Sequence, residues 1–374
     1  MNKKKLIFII IGLVIIALLV GIYFAWKSKT NNNPTISNQN PTAQFSVQSQ
    51  STTTDKLHIL SKNPAMGYWV AYSSSTTPNP NIYYIYDNGQ NYHNAQIFEI
   101  ASGTENLIAS STLIGLGNIK ISNDGKMILL KSGTGENDFD VYNSDKNMWQ
   151  QSFDQLGDMD ISPDGKSIIY SSDSGIFKTG LDKFTSAITK LSGLSPIDFN
   201  LNWINTDNVI LSSKPSSDID SEIWNLNLKN KTLSEIASGK GLMVNWSKFG
   251  DLGIKFSVDN GNNRLTLIDG SGNKKADFNF FTFPDKCLIS SLSQIYCAIP
   301  KDQSVFSDPE ILDNYLKHGI YFNDGIYQID LQNNKFQPLY DSDNNIIDAV
   351  DLTLSGNELF FINRYDNKLY SLDL

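Results

Sequence analysis

Ile161-Ser162-Pro163-Asp164-Gly165-Lys166-Ser167-Ile168-Ile169-Tyr170 is the second printing of a phrase that first occurs as Ile121-Ser122-Asn123-Asp124-Gly125-Lys126-Met127-Ile128-Leu129-Leu130. Looser copies start at Trp203, Trp246, Ile289 and Leu352, so the successive steps are 40, 42, 43, 43 and 63 residues. A period of roughly 40–45 residues built only from short strands and turns predicts a β-propeller. Such a reading fixes architecture and leaves chemistry open.

Each copy has one internal order. An apolar strand runs into a Ser-x-Asp-Gly turn, and a second apolar strand leaves it. A third strand alternates, as in Glu222-Ile223-Trp224-Asn225-Leu226, and a polar turn such as Lys229-Asn230-Lys231 leads to a weaker fourth. Period-two alternation marks half-buried strands, and Asp-Gly supplies the backbone freedom of a tight hairpin. Asp124, Gly125, Asp164 and Gly165 are therefore turn residues. The expected fold is all-β, a seven-bladed β-propeller over 57–374, with six or eight blades as alternatives. The units fall near 64–110, 115–153, 157–192, 197–237, 241–281, 284–340 and 346–374. The last lacks an outer strand, and Leu57-His58-Ile59-Leu60 is placed to supply it by pairing with 368–372.

Ile161-Ser162-Pro163-Asp164-Gly165-Lys166 resembles the repeat of WD-type and TolB-like propellers, which are found in many bacterial envelope proteins. The resemblance covers roughly 57–374 and implies fold more than function. Later copies depart from it, with Thr206-Asp207-Asn208, Phe249-Gly250-Asp251 and Leu292-Ser293-Gln294 in place of Asp-Gly-Lys.

Residues 6–26 carry no charge. At ~1.5 Å per residue they span about 30 Å, the thickness of a hydrocarbon core. The run is too long for a signal-peptide core, and bulky Tyr23, Phe24 and Trp26 sit at its exit. A retained helix in the lipid bilayer is expected within an anchor of residues 1–29. Lys3, Lys4 and Lys5 before it, against Lys27 and Lys29 after it, lean toward a cytoplasmic N-terminus. Residues 30–56 are rich in Asn, Thr, Ser and Gln and read as a flexible linker.

The net charge of −9 and the absence of a basic run beyond the N-terminus argue against a nucleic-acid partner. Arg264 and Arg364 are the only arginines, too few for a sialidase-type carboxylate clamp. No Gly-x-Ser-x-Gly elbow, phosphate loop or dinucleotide fingerprint occurs. His58, His93 and His318 are scattered, and Asp341-Ser342-Asp343-Asn344-Asn345 lacks the glycine and the bidentate acid of a calcium loop. No enzyme, cofactor or metal is expected.

Two features remain. Cys287 and Cys297 flank a hairpin in which pairing 289 with 295 sets them opposite each other, the arrangement of a disulfide in an exported domain, with buried thiols as the alternative. The 63-residue step carries about twenty extra residues, the 301–322 insertion, with a short helix capped by Ser307 or Asp308 and started by Pro309. Tyr315, His318, Tyr321 and Phe322 are its candidate contact surface, with a packing flap as the plainer reading. The expected role is non-catalytic: an extracytoplasmic scaffold or recognition module meeting an envelope protein. The alternative is a glycan-binding or glycan-active funnel. Carboxylates and exposed aromatics around the funnel would favour the glycan; an apolar patch around the insertion would favour the protein.

Overall fold

The Ser-x-Asp-Gly phrase folds as a turn that satisfies itself. Ser162 Oγ donates to Asp164 Oδ1 at 2.6 Å, while Asp164 Oδ1 accepts from the Lys166 amide and Ser162 Oγ from the Ser167 amide. Ser122, Asp124, Lys126 and Met127 repeat the arrangement. The divergent copy at Ser247 moves its acid one place past the glycine, and Ser247 then donates to Asp251. Gly250 keeps the left-handed backbone at φ 69° and bonds Ser247 O at 2.9 Å. A Cβ there would lie 2.5 Å from Ile204 Cδ1. Gly250→Ala is expected to cost about 2–3 kcal/mol, from the strained φ together with overpacking, read as a lower denaturant midpoint at unchanged slope.

The computed structural model describes residues 56–374 apart from 72–80, 90–93, 114–115, 118, 133–137, 150–156, 182–187, 195–197 and 342–344. The expected membrane helix, and the linker up to residue 55, lie outside the described residues. Among those described, no helix is long and apolar enough to cross a membrane.

The described chain is all-β. After β1 (Leu57–Ile59), the first sheet holds β2 (Gly67–Ala71), β3 (Asn81–Asp87), β4 (Asn94–Ala101) and β5 (Thr104–Thr112) in sequence order. The second holds β6 (Ile119–Ile121), β7 (Met127–Ser132), β8 (Asp138–Asn143) and β9 (Met148–Trp149). The third holds β10 (Met159–Ile161), β11 (Ser167–Ser172), β12 (Gly175–Gly180) and β13 (Thr189–Ser192). Two repeats then merge into one seven-stranded curled sheet: β14 (Phe199–Asn205), β15 (Asn208–Ser213), β16 (Asp220–Asn227), β17 (Thr232–Trp246), β18 (Leu252–Asp259), β19 (Asn262–Asp269) and β20 (Lys274–Asp277). They merge because β17 runs for 15 residues, ending one repeat and beginning the next, with a register shift between Lys240 and Met243 where Gly241 turns at φ 64°. β21 (Cys287–Ser291), β22 (Gln294–Pro300), β23 (Asp324–Asp330) and β24 (Lys335–Tyr340) make the next sheet. The last is β25 (Ala349–Ser355), β26 (Glu358–Asn363) and β27 (Lys368–Asp373), with β1 on its outer edge in the register Leu57↔Leu372 and Ile59↔Tyr370.

Burial grades across each repeat as its sequence dictates. The second strand is apolar throughout and buried on both faces, as in Met127-Ile128-Leu129-Leu130, whereas fourth strands such as Lys274-Lys275-Ala276-Asp277 face water. The apolar faces pack between neighbouring sheets. Ile128 and Leu130 of the second sheet meet Trp69 and Ile97 of the first, and Leu359 and Phe361 of the last meet Ala298 and Ile326 of the one before it. Tyr68, Ile82 and Tyr84 of the first sheet pack on Phe360, Ile362 and Leu369 of the last. The core thus runs through every repeat and returns to its start. Polar links lace the first strands together: Asp158, just before β10, and Asp160 of β10 accept the amides of Leu201 and Trp203 of β14, and Asn245 donates to Cys287 O at 2.8 Å. Cys287 lies opposite Cys297 across β21–β22, and the two form a disulfide.

Candidate functional site

The insertion leaves the sheet after β22 and returns at β23. Asp302 caps a 3-10 turn over Gln303–Ser307, accepting from the Ser304 amide at 2.9 Å. The helix α1 (Ile311–Leu316) starts later than the sequence suggests, and Glu310 at its N-terminus makes no side-chain cap. Asp308 instead closes a turn ahead of it, through its side chain to the Glu310 amide and its carbonyl to the Ile311 amide. Pro309 therefore sits in that turn rather than in the helix.

The apolar face of the insertion turns inward. Ile311, Leu312 and Phe306 are buried, as are Tyr315 and Phe322, each 3% exposed. All pack around Phe283, whose ring centroid lies 4.1 Å from that of Tyr315 and 5.5 Å from that of Phe306. Of the four residues expected to meet a partner, Tyr315 and Phe322 thus belong to the core. Tyr321 is 42% exposed and stacks on Tyr365 at 5.4 Å. His318 ends the helix at φ 55°, with Nδ1 3.4 Å from Arg364 Nη2.

Arg364 is the hinge of this region. Its Nη1 donates to Asp348 Oδ2 at 2.9 Å and its Nη2 to Tyr315 O at 3.0 Å, and its guanidinium lies 4.1 Å from the Tyr315 ring centroid and 5.1 Å from that of Tyr321. Behind it, Lys286 is 0% exposed. Its ammonium donates to Asp324 Oδ2 at 2.7 Å, to Asp348 and to Ala349 O. Burial alone would push the Lys286 pKa down, but the two carboxylates outweigh it and hold it above the ordinary lysine value. Burial pushes Asp324 up to about 6, against the pull of Lys286. The two directions are reconciled by the sharing of one cation between two acids. Asp348 holds Arg364 and the Phe322 amide as well, whereas Asp324 Oδ1 has no partner among the described residues.

In front of this quartet opens a cavity of about 650 Å³. It is lined by Asp285, Tyr315, His318 and Arg364, by Val350 and Asp351 of β25, by Tyr86 and Asp87 of β3, and by Ala65 and Met66 just ahead of β2. This is the size of a small-molecule site, with apolar wall and a few converging polar groups. Asp285 Oδ2 accepts the Tyr315 hydroxyl at 2.8 Å, while its Oδ1 is closed to solvent and has no partner among the described residues. Burial raises the Asp285 carboxyl, against the Tyr315 hydrogen bond and the nearby cations. Asp351 reaches cavity solvent but is hemmed in by protein. That desolvation, and then the charge of Asp285, push its pKa up to about 6.

A raised carboxyl disfavours folding once it ionises. Its contribution is present below the unfolded value of 3.8 and is lost as pH rises through about 6. Asp351→Asn is therefore expected to stabilise the protein at pH 7 by about 1 kcal/mol, a figure discounted for solvent contact, and to have little pH-linked effect at pH 4. Thermal unfolding of both proteins at the two pH values checks the sign.

No spacing in the chain points to Asp285, Lys286, Asp324, Asp348, Asp351 or Arg364. The one available signal was the rarity of arginine. His58 lies 3.2 Å from Asp373, and His93 and residues 342–344 of the Asp341 loop are outside the described residues. Among the described residues no group of three or more His, Cys, Asp or Glu is placed to hold a metal ion. No protein-family model matches the chain, and no curated protein matches it.

Proposed function

We propose that the chain is a membrane-tethered, extracytoplasmic β-propeller of seven blades that recognises an envelope saccharide in the cavity before Arg364, without transforming it. The seven repeats, the β1–β27 pairing and the packing of the last sheet on the first support the propeller. Kinship with WD-type or TolB-like propellers belongs to the same proposal. The charge-free run 6–26 supports the tether, and the disulfide suits an oxidising compartment. The observation that carries the ligand reading is the cavity itself, where carboxylates, an imidazole and tyrosines converge beside an apolar wall. Most of the large apolar side chains of the insertion are buried, and Leu316 and Tyr321 remain exposed.

The exposed Tyr321–Tyr365 stack favours a second reading, a protein scaffold docking on the insertion. Cross-linking on intact cells carrying the full-length protein, with retention assays on purified wall and capsule polysaccharide, separates the two. Retention that soluble oligosaccharide competes away is the expected result. Links from 301–322 to one envelope protein, with no polysaccharide retention, would overturn the saccharide and leave the scaffold.

A further inference from the structure

We infer that, on the membrane-tethered reading above, the face bearing the turns between first and second strands rests on the lipid surface, with the side chains of Phe249 and Leu292 entering the headgroup layer. Both residues stand where the first two copies of the repeat have Asp124 and Asp164. They occupy the β17–β18 and β21–β22 turns of successive repeats, and they are 71% and 68% exposed. The first of these turns closes without its phenylalanine, since Ser247 donates to Asp251 and the Gly250 amide donates to Ser247 O. A single exposed apolar side chain is ordinary. Two at one position of neighbouring repeats, each in place of an acid, mark that position as an interaction site. The turns share one face. Asn205 Nδ2 donates to Phe249 O at 3.4 Å and Lys248 Nζ to Asn123 O at 3.5 Å, and a Cβ on Gly165 would lie 3.5 Å from Asp124 Oδ1.

The chain enters the fold on the same side. β1 pairs antiparallel with β27, Leu57 opposite Leu372, and Leu372 lies opposite Leu359 beside the turn at 356–357. Leu57 therefore sits at the turn-bearing ends of the strands, and the segment that leads back to residues 6–26 joins the fold there. A connection as short as residues 30–56 holds this face near the bilayer at an effective concentration on the order of millimolar, so a weak insertion by two side chains is enough to seat it. Charge favours the same face. Lysines offset acids around its turns, as in Lys126–Asp145, Lys229–Asp207 and Lys275–Asp269. At the opposite ends of the strands the insertion alone brings Asp302, Asp308, Glu310 and Asp313 against Lys301 and Lys317, a balance that an anionic leaflet repels. The cavity before Arg364 opens at those opposite ends, where the insertion and the 364–367 loop line it, and so it is turned away from the lipid toward the envelope.

The test is hydroxyl-radical footprinting of the full-length protein, once in detergent micelles and once in liposomes of phosphatidylethanolamine and phosphatidylglycerol. Exposed Tyr321 and Tyr365, at the opposite ends of the strands, serve as controls. Oxidation of Phe249 and Leu292 is expected to fall about fivefold in liposomes, with that of Tyr321 and Tyr365 changing by less than about twofold. Unchanged oxidation of all four residues, in protein that still floats with the liposomes on a density gradient, would overturn the lipid-facing turns and leave the tether. Protection of Tyr321 and Tyr365 in place of Phe249 and Leu292 would put the other face on the lipid and overturn the inference. Failure of the protein to float with the liposomes would overturn the tether and, with it, the lipid-facing turns.

Discussion

Lys286→Met will lower the stability of the folded chain by about 3–5 kcal/mol, the cost of breaking a buried ion pair by removing one partner. Lys286, Asp324 and Asp348 are each 0% exposed. Removing the ammonium leaves Asp348 with Arg364 but strands Asp324, which keeps only the Ala349 amide at 2.8 Å. The double variant Lys286→Met with Asp324→Asn should recover much of the loss. Asparagine can still accept from Ala349, and the stranded charge is gone. Denaturant unfolding of the two single variants and the double variant measures the coupling. A Lys286→Met cost below about 1 kcal/mol would show that the pair is not closed to water as described.

Phe283→Ala will cost a similar amount, about 3–5 kcal/mol, by opening a cavity under the insertion. Phe283 is fully buried, and its ring centroid lies 5.0 Å from that of Phe256 of β18, 4.1 Å from Tyr315 and 6.1 Å from Phe322. It joins the sheet to the insertion, so the loss should be local as well as global. Hydrogen exchange over 303–322 should quicken more than exchange in the first three sheets. Because Tyr315 orients the Asp285 carboxylate, ligand affinity should fall in the same variant. Uniform quickening across the chain would mean that the insertion is not a separately opening element.

The all-β character was legible because its causes are local. A Ser-x-Asp-Gly turn closes on its own side chains within five residues, and the alternation in Glu222–Leu226 needs only the partner strand to explain it. The merging of two repeats was not legible. Ser238-Gly239-Lys240-Gly241 reads as a break between units, yet the chain passes through it as one bent strand, since glycine permits the bend as readily as it permits a turn. Helical spacing sets Ile311, Leu312, Tyr315 and Leu316 on one face of the insertion, yet only the first three are buried and Leu316 stays exposed, and the target of the face was not readable. An apolar face next to a half-covered core packs there first, and this buries Tyr315 and Phe322. The cavity was illegible for a different reason. Asp285, Asp351 and Arg364 come from separate parts of the chain, and only the return of the last sheet to the first sets them before Ala65 and Met66.

The most direct measurement is hydrogen exchange on the full-length protein with and without the competing soluble oligosaccharide. Slower exchange is predicted in peptides covering 285–287, 315–318, 349–351 and 362–367, with the outer strands β5, β9 and β13 unchanged. Protection confined to the exposed Tyr321–Tyr365 surface, or absent from 285 and 351 while the oligosaccharide is bound, would contradict binding in the cavity.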